Sequence, residues 1–145
     1  MSFDKAKKYL EEKGYADHII ELADSSATVQ LAAQALGVEP GMIAKTLSFL
    51  NGDKPILILA EGIARIDNHK YKDTFHVKAK MIPFDEVEQY IGHAPGGVCP
   101  FGIKEGIAVY PAAGNDHSAV KLTIAELEAV AGMEGWVDVC KDEPA

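Results

Sequence analysis

Two apolar runs joined by a four-residue turn constrain this chain more than any other feature. Ile43-Ala44-Lys45-Thr46-Leu47-Ser48-Phe49-Leu50 and Pro55-Ile56-Leu57-Ile58-Leu59-Ala60 flank Asn51-Gly52-Asp53-Lys54. Asn-Gly between apolar runs is a strong hairpin signal. The second run is apolar throughout, the pattern of a central strand covered on both faces. In the first run, side chains alternate between faces, so Ile43, Lys45, Leu47 and Phe49 share one. That puts an ammonium on an apolar face, and lysine is almost never fully buried unless paired. Lys45 therefore either snorkels out at the strand start or lines a pocket that uses its charge.

The length of 145 residues predicts a single domain, 1–145, able to bury a sizeable core without disulfides or metals. An apolar fraction of 48% and a charged fraction of 25% are those of an ordinary soluble globule. No apolar stretch approaches a membrane span, and Met1-Ser2-Phe3-Asp4-Lys5 lacks the basic start and apolar run of a signal peptide. The expectation is a cytoplasmic protein with no membrane partner. Cys99 and Cys140 are then expected to be reduced thiols. A net charge of -8 disfavours broad sliding along a nucleic-acid backbone, DNA included, but leaves room for a local grip on one short RNA end. Thirteen lysines and a single arginine, Arg65, depart from a conventional RNA-binding surface.

Strands and helices alternate irregularly, which predicts an α/β, mixed α+β class. Ser2 is placed to cap a helix from Phe3 to Lys13, stopped by Gly14. A short strand is expected from His18 to Leu22. A helix from Thr28 to Leu36 follows, capped by Ser25 or Ser26 and closed by Gly37. After the hairpin come a helix from Asp67 to Phe75, a short strand from Val77 to Met81, and a helix from Phe84 to Ile91 opened by Pro83 and stopped by Gly92. Ile107 to Tyr110 reads as a strand, Pro111 to Asp116 as a loop and Ser118 to Leu122 as a strand. Thr123 caps a helix from Ile124 to Ala131, and Trp136 to Cys140 is the last strand.

The familiar catalytic signatures are absent: no phosphate loop, no His-Glu-x-x-His, no Cys-x-x-Cys and no Gly-x-Ser-x-Gly. The histidines at 18, 69, 76, 93 and 117 show no metal-ligand spacing, and no cofactor is expected. Three features carry chemistry instead. Lys45 is the first. The second is the loop Pro95-Gly96-Gly97-Val98-Cys99-Pro100-Phe101-Gly102, whose glycines let a ligand approach backbone N–H groups closely. Read without any partner, it is equally a rigid turn. Cys99 within it is either a nucleophilic thiol, with His93 or His117 as base, or a small buried hydrophobe. The third is Gly114-Asn115-Asp116-His117-Ser118, a polar loop in which His117 is placed to orient a water or a hydroxyl.

In their order, these segments resemble the YbaK/prolyl-tRNA-editing family, the aminoacyl-tRNA deacylases. The resemblance runs from about Thr28 to Val139. It comprises Ala35-Leu36-Gly37-Val38, Ile43-Ala44-Lys45-Thr46-Leu47, the Gly-x-x-x-Pro loop Gly96 to Pro100 with Phe101-Gly102, and Asn115-Asp116-His117-Ser118. It implies a central mixed sheet curled into a partial barrel and flanked by helices. It also implies hydrolysis of the ester joining a small wrong amino acid to a tRNA 3′ end, commonly that of the proline tRNA. By the same resemblance Lys45 is the essential lysine, and Gly97 and His117 join it at the catalytic centre. Thr46, Gly96, Val98, Cys99, Pro100 and Phe101 shape the aminoacyl pocket. The implied partner is the tRNA acceptor end, alone or beside prolyl-tRNA synthetase or an elongation factor. Lys70, Lys72, Lys78 and Lys80 are either a local basic lip for that end or solvated surface lysines.

Two other readings stand beside this one. A non-catalytic module would dock on a tRNA end or a synthetase without cleaving an ester. A thiol hydrolase would depend on Cys99.

Overall fold

The computed structural model describes residues 2–18, 29–40, 44–94, 98–113, 134, 137, 139 and 140. Its centre is the hairpin. Strand β1 (Ala44–Asn51) pairs antiparallel with β2 (Lys54–Glu61), from Asn51 opposite Lys54 back to Ala44 opposite Glu61. Gly52 takes the positive φ of 68° that the turn needs. On its other edge β2 pairs parallel with β3 (Ala108–Ala113), so the described sheet is open, mixed and ordered β1-β2-β3. Being central, β2 has no solvent face: Leu57 and Ile58 are both 0% exposed.

Alternation along β2 sorts the core into two layers. Leu57 and Leu59, with Leu50 and Val109, pack against Leu10 of α1 (Ser2–Glu12), Ile82, Phe101, and Val87 and Ile91 of α4 (Val87–Ile91). Ile56 and Ile58, with Phe49, pack against Tyr71 of α3 (Asn68–Phe75) and against Val139. Helix α2 (Val29–Leu36) contributes a separate cluster around Ala32 and Ala33.

Local signals explain the helix ends. Asp67 caps α3, its carboxylate accepting from the N–H groups of His69 and Lys70 at 2.9 and 3.0 Å. His76 closes α3 at a φ of 64°, a left-handed geometry uncommon outside glycine. An aromatic chain then ties α3 to the sheet: ring centroids lie 5.1 Å apart for Phe49 and Tyr71, 4.8 Å for Tyr71 and Phe75, and 5.1 Å for Phe75 and Tyr110. The Tyr71 hydroxyl donates to Asn51 Oδ1, so the helix also grips the hairpin turn. Burial pushes that phenol up to about 12, so it stays a donor at physiological pH.

Several boundaries differ from expectation. Ser2 lies inside α1 rather than capping it, and His18 ends a 3-10 turn, Ala16–His18; the rest of the strand expected from His18 to Leu22 lies outside the described residues. The expected strand from Val77 to Met81 is reduced to one bridge, Met81 opposite Phe49, with Leu50 N–H donating to the Lys80 carbonyl and Ile82 N–H to that of Ser48. His76, the one non-glycine with a left-handed backbone among the described residues, and the donor-less Pro83 bracket this segment and limit the ladder. The helix expected from Phe84 to Ile91 begins as a 3-10 turn, Phe84–Glu86, and becomes α-helical only at Val87. Strand β3 continues through Pro111 to Ala113, where a loop was expected. A register shift between Leu59 and Ala60 accommodates the proline, as bulges and edge strands do. Of the last expected strand, Cys140 bridges Ile66 and the Val139 carbonyl accepts from Asp67 N–H at 2.7 Å. Residues 19–28, 41–43, 114–133, 135–136 and 138 lie outside the described residues. With them go the caps at Ser25 and Ser26, the strand from Ser118, the helix from Ile124, and Trp136.

Truncating Tyr71 tests the aromatic layer. Tyr71→Phe, which removes only the bond to Asn51, should lower the unfolding free energy by about 1 kcal/mol. Tyr71→Ala should lower it by about 3–5 kcal/mol, measured by urea denaturation.

Candidate functional site

The hairpin register sets Lys45 opposite Ala60. It stands on the face of Leu47, Phe49, Ile56 and Ile58, one step beyond the apolar layer. Its immediate surroundings are made of small side chains: Ala60, Ala64 and the 7%-exposed Cys140 form one cluster with Ile66. The Lys45 ammonium donates to the Ala64 carbonyl, the turn that follows β2. This bond fixes the ammonium at the end of the sheet, so Lys45 does not trail into solvent. Burial lowers the Lys45 pKa from its ordinary value; nearby Cys140 raises it, and the Arg65 guanidinium lowers it.

A second set of sequence-predicted residues gathers on the other side of the sheet. Thr46, opposite Leu59, faces away from Lys45 toward the layer of Leu50, Leu57 and Leu59. Val98 and Cys99 pack against that layer and Phe101 belongs to it, 4% exposed; Pro100 is buried as well. These four side chains do structural work in holding the loop's path. Gly96, Gly97 and His117 lie outside the described residues.

The loop is braced from behind. His93 is 0% exposed, and its Nε2 bonds to the Phe101 carbonyl at 2.7 Å. A carbonyl only accepts, so Nε2 carries the proton, which leaves Nδ1 as a buried acceptor with no partner among the described residues. Burial pushes the His93 pKa down, against the bond to Phe101 that raises it. Helix α1 adds two clamps. Lys5 Nζ donates to the Gly92 carbonyl at 2.7 Å. Gly102, at a φ of 73°, sits so close that a Cβ there would meet the Lys5 carbonyl oxygen at 2.6 Å.

This geometry bears on one of the two bases considered for Cys99, His93; the other, His117, lies outside the described residues. Its sulfur is 3.8 Å from His93 Nε2, but that nitrogen bears the proton given to Phe101 and accepts none from a thiol. Burial pushes the Cys99 thiol up to about 11, against a smaller opposing effect of the Phe101 backbone. A thiol at that value holds well under 1% thiolate at neutral pH. The Cys99–His93 nucleophile pair is therefore not assembled, although the two residues do meet. His93 is a brace rather than a base.

Among the described residues no group of three or more His, Cys, Asp or Glu side chains is arranged to hold a metal ion. His69 pairs with Asp73 at 3.2 Å on the exposed face of α3. Of the expected basic lip, Lys72, Lys78 and Lys80 are exposed, while Lys70 turns inward and donates to the Cys140 carbonyl at 3.0 Å. Arg65, noted in the sequence only as the single arginine, emerges beside Lys45. The hairpin register sets Lys45 opposite Ala60 but carries no signal for the path of the turn beyond β2, so the sequence did not mark Arg65.

Comparison with known proteins decides the family. The family model for the aminoacyl-tRNA editing domain matches residues 23–113. The chain belongs to the aminoacyl-tRNA editing domain family. Its chemistry is hydrolysis of the ester between an amino acid and a tRNA. The uncharacterized protein YwhH of Bacillus subtilis is 41% identical over 98% of this chain and 99% of its own. A protein of Enterococcus faecalis, EbsC, named as a candidate Cys-tRNA(Pro)/Cys-tRNA(Cys) deacylase, is 27% identical over 66% of this chain and 60% of its own. Among solved structures, one described as a candidate trans-editing enzyme for prolyl tRNA synthetase superposes with a TM-score of 0.81 at 28% identity, over 97% of both chains. The mixed α+β architecture of the editing domain is thus the family's own.

The editing domain should not depend on its loop thiol. Cys99→Ser is expected to keep deacylation within about threefold of wild type, and Cys99 should resist iodoacetamide at pH 7.5, followed by mass spectrometry. Abolished activity together with rapid alkylation would restore the thiol mechanism.

Proposed function

We propose that this editing domain is a trans-acting deacylase that removes a small wrong amino acid from the proline tRNA, with Lys45 as its fixed positive charge. The observation that carries this reading is the Lys45 ammonium, held at the sheet end by the Ala64 carbonyl among small side chains. The names of EbsC and of the solved neighbour support the proline tRNA. The near full-length match to that neighbour supports action in trans.

The chemistry asks for little. The aminoacyl ester is already activated, so water is a sufficient nucleophile. Water attacks the carbonyl carbon, the carbonyl oxygen becomes an oxyanion, the bond to the ribose 3′ oxygen breaks, and that oxygen takes up a proton. Lys45 holds the terminal adenosine's phosphate or the ester oxygen and offsets the negative charge that develops during attack, and its charge counts for more at a half-buried position than in water. Backbone N–H groups around Gly97 to Cys99 add oxyanion donors, and the residues flanking that loop are tied by His93, Lys5 and Gly102. His117 orients the water or the substrate. Thr46, Val98, Cys99, Pro100 and Phe101 set the shape of the aminoacyl pocket by fixing the sheet and the loop around it. No step requires a protein nucleophile, a metal or a cofactor.

Substrate identity follows from pocket size. Alanine, serine, threonine, cysteine and 2-aminobutyrate are the amino acids to compare, because a small pocket separates such side chains by only 1–3 kcal/mol each. The reading places the protein in the cytoplasm, where aminoacyl-tRNA is found, alone or beside prolyl-tRNA synthetase or an elongation factor. Among the described residues no helix is long and apolar enough to cross a membrane.

A deacylation panel tests the proposal. Proline tRNA charged with each of the five amino acids, and with proline, is incubated with wild type and with Lys45→Ala. Wild type should release at least one small amino acid and spare prolyl-tRNA. Lys45→Ala should lose about 100-fold or more in kcat while keeping its unfolding midpoint. Binding without release at any enzyme concentration would favour the docking module instead. Equal activity of the variant would remove Lys45 from the mechanism.

A further inference from the structure

Two bonds close the base of the glycine-rich loop. Lys104 N–H donates to the Ile91 carbonyl at 3.0 Å, and His93 Nε2 donates to the Phe101 carbonyl at 2.7 Å. The second is a side-chain bond across eight residues, and the stretch it encloses carries Gly97, Val98 and Cys99. Tying both ends of such a stretch removes conformations that its N–H groups would otherwise sample. The imidazole does this in one protonation state. Nε2 gives its proton to Phe101, and Nδ1 is a lone pair with no partner among the described residues, on a ring that is 0% exposed. A second proton, on Nδ1, would create a buried charged donor facing no acceptor, which is costly. The surrounding charges add to the cost. From α1 comes the Lys5 ammonium, bonded to the Gly92 carbonyl. From the segment after the loop comes Lys104, which runs past Gly92 and donates its ammonium to the Gln89 carbonyl. From the loop itself comes Cys99, a thiol that burial keeps neutral. The nearest acid of α4, Glu88, is exposed. Burial lowers the His93 pKa, the Phe101 bond raises it, and Lys5 and the amino terminus lower it, with a downward result.

Resting on the deacylase reading above, we propose that His93 is a positioning residue that closes the loop only as the neutral imidazole, so that acid slackens the loop and slows deacylation. It acts through the Phe101 carbonyl on the N–H groups between the two tied ends. The sign follows from the two states of the loop. With the loop open, the ring meets water and takes up a proton near its ordinary value of 6.5. With the loop closed, it stays neutral to lower pH. Acid therefore feeds the open form. The closed form has its full advantage above pH 6.5 and loses it as the pH falls from there toward the lower value of the closed state. The loss is at most about tenfold in population per pH unit. Cys99, pushed up to about 11, does not titrate in that window, and Lys45 remains an ammonium through it.

The test follows deacylation of mischarged proline tRNA by wild type, His93→Gln and His93→Leu from pH 7.5 to 5.5. Glutamine presents an amide N–H in place of Nε2 and does not titrate; leucine donates nothing. At pH 7.5 His93→Leu should lose about tenfold in kcat with KM little changed, the size of one buried hydrogen bond, and His93→Gln should recover most of that loss. Between pH 7.5 and 5.5 wild type should lose at least about threefold in kcat relative to His93→Gln. Ionisation of the substrate and of the attacking water is common to both and cancels from that ratio. Two measurements on wild type need neither a variant nor catalysis. Nitrogen-15 shifts of the His93 ring should show the Nε2–H tautomer at pH 7.5. Amide exchange at Val98, Cys99 and Phe101, corrected for its intrinsic pH dependence, should speed up relative to the β2 amides as the pH falls below 6.5. A wild-type to glutamine ratio that stays flat, loop protection that persists to pH 5.5, or a ring that titrates at its ordinary 6.5 overturns the inference while the deacylase reading stands. A wild type that cleaves no mischarged tRNA overturns that reading, and the ring shifts and loop exchange then decide the behaviour of His93 alone.

Discussion

The pairing of Asn51 with Lys54 fixes more of this protein than any other contact. One residue of slip along β1 would turn every side chain to the opposite face. Lys45 would move into the layer occupied by Leu57 and Leu59, and Thr46 would take its place beside Ala60. The turn guards against this in two ways. Gly52 supplies the positive φ, and Asn51 is gripped by the Tyr71 hydroxyl from the layer beneath. A helix well outside the hairpin thus helps to set where the ammonium emerges.

The two faces of the sheet divide the work. One carries Phe49, Tyr71, Phe75 and Tyr110 as an aromatic floor, and ends in small side chains where Lys45 stands. The other carries the braced loop. Its brace is built from a buried histidine, a lysine bonded to a carbonyl and a glycine pressed on a helix. Rigidity of this kind suits a site that works by placing dipoles and a charge in advance, since preorganised groups need not rearrange as the oxyanion forms.

Much of this was legible in the sequence, and the limits have physical causes. The hairpin, the central strand and the face of Lys45 follow from Asn-Gly and from alternation alone. Helix α3 was readable from its Asp67 cap, and α4 from Gly92. The continuation of β3 through Pro111 was not, because proline argues against a strand unless an irregularity such as the register shift at Leu59 and Ala60 is known to be there. The strand at Val77 to Met81 was over-read: its alternation is real, with Val77 and Ala79 inward and Lys78 and Lys80 outward, yet alternation reports burial of one face rather than a ladder. Lys45 was found because a charge on an apolar face is conspicuous. Arg65 and His93 were not assigned their places, because neither breaks a pattern: one lies in a turn and the other in a glycine-rich loop, and only tertiary contacts give them meaning.

The central claim is that Lys45 is a held ammonium rather than a general base or an amine nucleophile. Proton-exchange chemistry at that nitrogen tests it directly. With lysine carrying carbon-13 at Cε, the Lys45 resonance, assigned by its absence from Lys45→Arg, can be followed by NMR from pH 6 to 12. The account predicts a midpoint below the ordinary lysine value of 10.5, displaced by burial and by Arg65, yet far enough above neutrality that the nitrogen is fully charged at pH 7.5. A midpoint near 7 would make Lys45 a base and contradict the account. A midpoint indistinguishable from those of the exposed lysines would return it to a solvated side chain.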